Sequence, residues 1–271
     1  MSVSQADKAA KFQALHAGPR AFVIANPWDA GSARLLAGVG FEALATSSGA
    51  KAGVLGRRDG AVSRAESLAN ARLIVDSCDL PVAADLEQGF GDTPEDAAET
   101  IRQACGVGLV GGSIEDWSGT RTYDLDHAVA RMEAASKAAR SLPVPFVLTG
   151  RCEGFLRGAP DLDETIRRLQ AYEKVGADVL MAPGLPDLDA VKKVCASLSK
   201  PFSFMAGIKG KSFDVASLEA AGVRRISLAT ALYRAAMGGL LEAAREVKDH
   251  GSFGFLDRAL SSPQLGAFMK P

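Results

Sequence analysis

The sequence PVAADLEQGFGDTPED, residues 81–96, contains the unit from which the fold can be predicted. Its apolar start, Pro81–Ala84, has the length of a buried strand, and the turn that follows is rich in glycine. Thr93 then precedes a proline and two acids. This composition is typical of a helix start, because the hydroxyl caps the first amides and proline fits the first helical position. The stretch therefore predicts a strand, a turn and a helix in that order.

The same unit recurs along the chain. Eight short apolar runs are candidate strands: Ala21–Ala25, Ala43–Thr46, Pro81–Ala84, Leu109–Ile114, Pro145–Thr149, Asp178–Ala182, Phe202–Met205 and Arg225–Ala229. Helical segments lie between them, with a capping-box pattern at Ser63-x-x-Glu66 and expected caps at Asp187 and Ser212. Strands that alternate with helices predict a parallel sheet, and eight units predict its closure into a (β/α)8 TIM-type barrel. At 271 residues without a Pro-, Gly- or Ser-rich linker, we expect one barrel domain over residues 1–271.

Residues 251–271 exceed what a barrel requires and predict a C-terminal helical extension. Its apolar residues are Phe253, Phe255, Leu256, Leu260, Leu265 and Phe268. We expect this extension to be exchanged between the subunits of a homodimer or homotetramer, because its apolar residues need a partner surface. Folding back onto its own barrel is the alternative.

Composition excludes several other classes of protein. The formal charge of −1 and the absence of a basic stripe argue against nucleic-acid binding. Four scattered cysteines and three isolated histidines argue against zinc and favour a reduced, cytoplasmic setting. Neither a signal-type apolar core nor a membrane-spanning run of roughly 18 apolar residues is present. Gly106–Gly111 spells G-x-G-x-x-G, but it follows a helix and enters a strand, the reverse of a dinucleotide site.

Acids and an arginine follow three successive strands of the predicted barrel. Asp85 and Glu87 follow the third run, Glu115 the fourth and Arg151 the fifth. We expect them to converge at the C-terminal ends of the strands, and the spacing of two predicts that Asp85 and Glu87 share a strand face. Clustered carboxylates repel one another unless a cation neutralises them, and oxygen ligands favour Mg²⁺ or Mn²⁺. Arg151 is then placed to hold a substrate carboxylate, while Cys152 is expected to pack on the opposite face. Singly, each acid could instead be a helix cap or a surface ion pair.

A set of ordered motifs between residues 20 and 235 resembles the isocitrate lyase/phosphoenolpyruvate mutase superfamily. The motifs are NPWDAGSAR (26–34), TSSG (46–49), LGRRDG (55–60), PVAADLEQGFG (81–91), IED (114–116) and GRCE (150–153). The resemblance implies that Asp85 is the direct Mg²⁺ ligand, with Glu87, Glu115 and Asp59 holding the ion largely through water. It also implies the residues that bind and contact a pyruvate-like substrate: Ser47, Ser48, Gly49, Trp28 and Arg151.

The chain also departs from this family. Lyases carry Lys-Lys-Cys-Gly-His after the fourth strand, whereas residues 117–123 read WSGTRTY, without the asparagine pattern of the mutases. Ala182 or Pro183 replaces the sixth-strand glutamate, and the Met205–Gly207 segment lacks an expected asparagine. We expect residues 117–123 to form a gate over bound ligand, with Tyr123 or Arg121 in proton transfer.

The resulting functional hypothesis is a Mg²⁺-dependent lyase. It would cleave a C–C bond of a small 2-oxo or 2-hydroxy dicarboxylic acid through an enolate, with Arg151, Asp59, Glu115 and Tyr123 as catalytic residues. Two alternatives remain open at this point: a phosphonopyruvate-type mutase or hydrolase, and a barrel that binds a 2-oxo acid with little turnover.

Overall fold

A computed structural model describes residues 3–269 of the chain. Its strands are β1 (Phe22–Ile24), β2 (Leu44–Ala45), β3 (Val82–Asp85), β4 (Gly111–Glu115), β5 (Val147–Arg151), β6 (Val179–Met181), β7 (Phe202–Met205) and β8 (Val223–Ser227). Its helices are α1 (Gln5–Ala17), α2 (Ala30–Val39), α3 (Ser48–Val54), α4 (Arg64–Ser77), α5 (Pro94–Gly106), α6 (Leu125–Arg140), α7 (Leu162–Lys174), α8 (Leu188–Ala196), α9 (Val215–Ala220), α10 (Ala231–His250) and α11 (Ser262–Gly266). A 3-10 helix spans Gly254–Asp257.

The eight strands form one parallel sheet in the order β1-β8-β7-β6-β5-β4-β3-β2. A parallel bridge between Ala25 and Leu44 joins the two edges, so the barrel is nearly closed. The predicted (β/α)8 barrel is confirmed, and each predicted apolar run overlaps a strand. β5 ends at Arg151 rather than at Thr149, which places the arginine within the sheet.

Most of the predicted helix starts are correct. Thr93 and Ser63 each complete a capping box, and Asp187 caps α8. The prediction for Ser212 was wrong, because α9 begins later and is capped by Asp214. The hydroxyl of Ser212 instead forms hydrogen bonds within the preceding turn.

Helix α1 closes the N-terminal end of the barrel. Its Phe12 is fully buried and packs with Phe22, Val147 and Val179 inside the ring of strands. Gly111 is required here, because a Cβ at this position would lie 2.8 Å from the Phe12 ring. The barrel interior is therefore filled at this end, and space remains only toward the C-terminal ends of the strands.

The C-terminal part of the chain is poorly covered. Every residue of α10 is at least partly exposed. Large apolar side chains are exposed along α10 and beyond it: Met237, Leu240, Leu241, Val247, Phe253, Leu256, Leu260 and Leu265. The extension contains two short helical segments rather than one helix, and Phe268 packs against Gly38 of α2 in the same chain. Residues 270–271 of the predicted extension lie outside the described residues. Among residues 3–269, no helix has the length and apolarity needed to cross a membrane.

Candidate functional site

Two adjoining cavities open at the C-terminal ends of the strands. The larger, about 390 Å³, contains six residues predicted for the site: Ser47, Ser48, Gly49, Asp59, Asp85 and Arg151. The second, about 300 Å³, is lined by the remaining predicted acids, Glu87 and Glu115. Ser48, Asp59 and Arg151 border both cavities. The structure thus brings the predicted acids, the arginine and the serine turn together at one rim.

Asp85 ends β3 and points into the larger cavity. Its Oδ1 accepts the amide of Glu87 at 3.1 Å. Its Oδ2 lies 3.4 Å from Arg151 Nη1 and 3.4 Å from the amide of Ser48. Burial alone would raise the pKa of Asp85, but the positive charges of Arg151 and Lys51 lower it below its ordinary value. Asp85 is therefore an ionised carboxylate at the cavity wall.

Glu87 lies beyond the strand, so the prediction that it shares a strand face with Asp85 was wrong. Its φ of 52° is in the left-handed region, which costs a non-glycine residue about 1–3 kcal/mol and is common at functional sites. Its Oε1 lies 3.1 Å from Lys51 Nζ but has no hydrogen-bond partner among the described residues. Burial raises the pKa of Glu87, and the nearby negative charges of Asp85 and Asp59 add to the effect against the opposing Lys51.

Arg151 is held by a buried network of carboxylates. Glu153, which is fully buried, lies 2.5 Å from Arg151 Nε and also 2.9 Å from Arg157 Nε. Glu115 Oε2 lies 3.5 Å from Arg151 Nε. Burial raises the pKa of Glu115 well above its ordinary value, with Glu153 and Asp85 acting in the same direction against Arg151. The guanidinium is fixed in place, and its surroundings are rich in negative charge.

The donor set fits a hard divalent cation. Five carboxylates border or support the two cavities: Asp59, Asp85, Glu87, Glu115 and Glu153. Three cations lie within 4 Å of these carboxylates: Lys51, Arg151 and Arg157. With all groups ionised these eight side chains carry an excess of negative charge, and the buried Glu87 Oε1 contacts Lys51 Nζ at 3.1 Å. Within residues 3–269, no three acidic, histidine or cysteine side chains converge as a direct ligand cage. The set can serve a hard divalent cation that retains most of its waters and takes one or two carboxylates as direct ligands.

Tyr123 is not brought to the cavities. It is buried, its hydroxyl donates to Asp92 Oδ1 at 2.5 Å, and its ring lies 4.7 Å from the Arg131 guanidinium. Burial and the Asp92 hydrogen bond raise the pKa of Tyr123 to about 12. With Arg121 it borders a separate surface pocket. This position gives Tyr123 a structural role at the base of the 117–123 segment, and its predicted proton-transfer role is not retained.

Trp28 also lies away from the cavity lining. Its ring packs edge-on against Tyr233 of α10 at 5.4 Å, and its carbonyl accepts Asn70 Nδ2. Asn26, two residues earlier, lines the larger cavity instead. The side-chain Nδ2 of Asn26 donates to the Thr46 carbonyl at 3.2 Å. The first motif therefore contributes Asn26 to the cavity rather than Trp28.

Four charged residues that line or support the cavities were missed from the sequence: Lys51, Arg157, Arg225 and Arg234. Lys51 is buried in α3, and its Nζ donates to Ser67 Oγ at 2.7 Å and to the Asp85 carbonyl at 3.2 Å. It is one helical turn after Ser48 in an otherwise uncharged segment, which is the available signal. Arg225, a charged residue inside a strand, lines the larger cavity. Strand alternation with Ser227 could have placed it on the inner face.

Cys152 packs as expected on the outer side of the barrel. It is buried, and burial together with the nearby negative charge of Asp116 raises the pKa of its thiol to about 12. A thiol of this kind stays protonated at neutral pH and is a poor nucleophile.

This fold and site define a (β/α)8-barrel protein with a carboxylate-rich pocket at the C-terminal ends of its strands, the position of barrel active sites. The family profile described as phosphoenolpyruvate phosphomutase matches residues 12–248. The chain belongs to this family, within the phosphoenolpyruvate mutase/isocitrate lyase superfamily.

Individual relatives agree with this membership. Oxaloacetate decarboxylase of Chromohalobacter salexigens is 30% identical over 256 residues, which cover 91% of this chain and 87% of that protein. The structure of a putative lyase/mutase from Burkholderia cenocepacia has a TM-score of 0.96 and 48% identity, covering 97% of this chain and 96% of that one. The structure of a 2,3-dimethylmalate lyase has a TM-score of 0.86 and 27% identity, covering 96% and 94%.

Proposed function

We propose that this protein is a Mg²⁺- or Mn²⁺-dependent lyase that cleaves a C–C bond of a small 2-oxo or 2-hydroxy dicarboxylic acid. The observation that carries the proposal is the convergence of Asp85, Glu87 and Glu115 beside a buried, fixed Arg151. The relatives support the reaction class, because two of them are named as a decarboxylase of oxaloacetate and a lyase of 2,3-dimethylmalate.

The acids at the rim would hold the metal ion. Asp85 would bind it directly, because its ionised carboxylate faces the larger cavity. Glu87, Glu115 and Asp59 would hold it through water. When bound, such an ion stabilises the negative charge that develops on a substrate oxygen as the bond breaks.

The remaining residues would bind and orient the substrate. The Ser47-Ser48-Gly49 turn offers hydroxyl and amide donors at the start of α3, beside Asp85. Arg151 would hold the carboxylate next to the reacting carbonyl, and Glu153 would keep its guanidinium aligned. On cleavage one fragment keeps the bonding electron pair as an enolate, and the other leaves as CO₂ or as a carbonyl compound. These fixed donors would stabilise the enolate oxygen until a proton reaches the enolate carbon.

We propose that a second copy of the chain covers α10 and the extension, giving a homodimer that can pair into a homotetramer. The support is the row of exposed apolar side chains along α10, of which Leu240 and Leu241 are 62% and 50% exposed. Exposed apolar patches of this kind are uncommon on monomers.

The test compares wild type with Asp85→Ala. Mn²⁺ binding, followed by electron paramagnetic resonance, should weaken about 100-fold or more, while the circular dichroism spectrum stays unchanged. Asp76→Ala is the control, because the ion pair of Asp76 among residues 3–269 is an exposed one with Arg72. Unchanged Mn²⁺ affinity in Asp85→Ala would contradict the metal assignment.

The reaction is tested with a panel of 2-oxo and 2-hydroxy dicarboxylic acids, with and without Mg²⁺. We expect metal-dependent release of a smaller 2-oxo acid or of CO₂ from at least one of them. Phosphate or isomerised product from phosphonopyruvate would favour the mutase or hydrolase alternative. Binding without any turnover would favour the binding protein.

A further inference from the structure

Arg225 lies in the interior of the barrel, at the floor of the larger cavity. It occupies β8, where it is paired in register with Phe22 of β1 and Ser203 of β7. Only 6% of the residue is exposed, and it lines the same cavity as Arg151 and Asp85. The cavity therefore extends from the acidic rim down to a buried guanidinium.

The contacts of this guanidinium are all with neutral groups. Nε donates to Ser203 Oγ at 2.9 Å and Nη2 to Thr149 Oγ1 at 3.0 Å. Nη1 lies 3.4 Å from His16 Nε2. Burial, with the charge of Arg225 itself, lowers the pKa of His16 to about 3, so this ring is neutral at physiological pH.

No carboxylate among residues 3–269 lies within 4 Å of the Arg225 guanidinium, in contrast to Arg151, which has three. A buried charge is costly unless it is paired, because the interior does not replace its hydration. Hydroxyl groups satisfy hydrogen bonds of Arg225 but leave its charge unbalanced. A ligand anion would balance this charge.

The space above Arg225 is suited to a ligand. Several of the strand residues that line this cavity have small side chains: Ala45, Ala83, Ala84, Gly112, Ser113 and Thr149. Thr149, which contacts Arg225, precedes Arg151 by two residues on the same face of β5. Two residues along a strand correspond to a rise of about 6.6 Å. The guanidinium of Arg225, which contacts Thr149, and the start of the Arg151 side chain are therefore separated along β5 by about the length of a short carbon chain.

We propose that Arg225 binds the distal carboxylate of an extended dicarboxylic acid whose reacting end is held at the rim. This inference rests on the proposed function for the reacting end. It assigns the second carboxylate to the barrel floor, and it makes Arg225 the residue that selects diacids over monoacids.

Matched pairs of acids test this assignment. Each pair has one chain length and differs only in a terminal carboxylate or methyl: malate and 2-hydroxybutyrate, 2-oxoglutarate and 2-oxovalerate, 2-oxoadipate and 2-oxohexanoate. Calorimetric titration of wild type with Mg²⁺ should show the diacid binding about 10- to 100-fold more tightly for at least one pair, the range expected for hydrogen bonds to a charged group. Arg225→Gln should abolish this preference while leaving the affinity for the monoacid within about threefold.

Arg224→Gln is the control, because Arg224 adjoins Arg225 on the opposite face of β8 and the substitution removes the same charge. It should leave the preference unchanged. Should Arg225→Gln fail to fold by circular dichroism, Arg225→Lys replaces it. Lysine keeps the charge but not the forked geometry, and we expect it to reduce the preference about tenfold.

A wild type that does not prefer the diacid at any chain length would overturn the inference. A preference that persists in Arg225→Gln, or is unchanged in Arg225→Lys where glutamine does not fold, would overturn it as well. The titrations are repeated without Mg²⁺ to separate this result from the proposed function. If 2-oxo acids bind equally well without the ion, the metal-dependent function fails, while the comparison between Arg225 variants still decides the inference.

Discussion

Replacing Glu153 by glutamine tests whether buried ion pairs hold the arginine of the site in place. Glu153 is fully buried, and its two oxygens contact Arg151 at 2.5 Å and Arg157 at 2.9 Å. Glutamine has nearly the same shape, so no large cavity forms. It removes the negative charge and turns a donor toward one of the two guanidinium groups.

The loss of stability can be estimated from these contacts. Removing one partner of a buried ion pair typically costs 3–5 kcal/mol, because the other charge is left uncompensated. Arg151 still has Asp85 at 3.4 Å and Glu115 at 3.5 Å, so we expect the lower end, about 3 kcal/mol. For a chain of this size that corresponds to a fall in Tm of roughly 6–12 °C.

Urea denaturation of the variant and of a matched control measures the effect. Glu164→Gln is the control, since Glu164 also contacts two arginines, Arg167 and Arg168, but is 32% exposed. Exposed pairs contribute less than about 1 kcal/mol. Equal losses in the two variants, or a loss below about 1 kcal/mol in Glu153→Gln, would show that packing rather than charge pairing fixes Arg151.

Three further predictions concern acid stability, the segment over the site and assembly. The folded pKa of His16 is about 3 and its ordinary value 6.5, so between these values the unfolded chain binds a proton that the folded chain does not. The free energy of unfolding should therefore fall by up to roughly 1.4 kcal/mol per pH unit as the pH decreases below 6.5, and His16→Gln should lack this contribution. Parallel pH profiles of the unfolding free energy for wild type and His16→Gln, measured by urea titration, would refute this prediction. Mg²⁺ with pyruvate should slow tryptic cleavage within residues 117–123 if that segment closes over ligand, and equal cleavage rates would argue against a gate. Truncation after His250 should lower the oligomeric state in sedimentation, because it removes apolar side chains that we expect a second subunit to cover; an unchanged state would contradict the exchange.

The barrel could be predicted because its signals are local. Each strand-turn-helix unit carries its own apolar run and its own start signal, as in Thr93 and Ser63, both of which form capping boxes. Parallel strands carry their C-terminal residues to one rim whatever the packing details, so Asp85, Glu115 and Arg151 could be placed together before any contact was known.

The sequence-based predictions were wrong or incomplete for residues whose position depends on tertiary contacts. Strand periodicity does not extend to Glu87, because β3 ends at Asp85 and Glu87 itself has a positive φ. Tyr123 follows the fourth strand like a site residue, yet its hydroxyl donates to Asp92, and both residues line a separate pocket. Lys51 is a single charge in a short helix, and only the packing of α3 against β3 gives it a role beside Asp85.

Arg225 is the clearest example of what the sequence cannot predict, because its proposed role depends on the absence of an acidic side chain beside it. The alternation of inward and outward side chains along β8 can place Arg225 on the inner face. It does not show whether an acid of the chain forms an ion pair with Arg225 there. Only the spatial arrangement shows that hydroxyls from Ser203 and Thr149 surround it, with no carboxylate within 4 Å among the described residues.

The two ends of the cavity have opposite charge imbalances, and together they specify an orientation for the ligand. At the rim, Asp85 and its neighbouring acids outnumber the cations that contact them, which suits the proposed metal ion, whereas at the floor the Arg225 guanidinium contacts only neutral groups among the described residues, which suits the proposed ligand carboxylate. A metal ion alone would leave Arg225 unpaired, and so would a monocarboxylate held at Arg151. A dicarboxylic acid bound with a divalent cation satisfies both ends at once. In the reverse orientation the 2-oxo group would lie beside Arg225, away from the acids that hold the metal. The charge distribution therefore favours binding with the 2-oxo end at the rim. It also predicts that lengthening the carbon chain between the two carboxylates changes the contact with Arg225 and leaves the metal site at Asp85 unaffected.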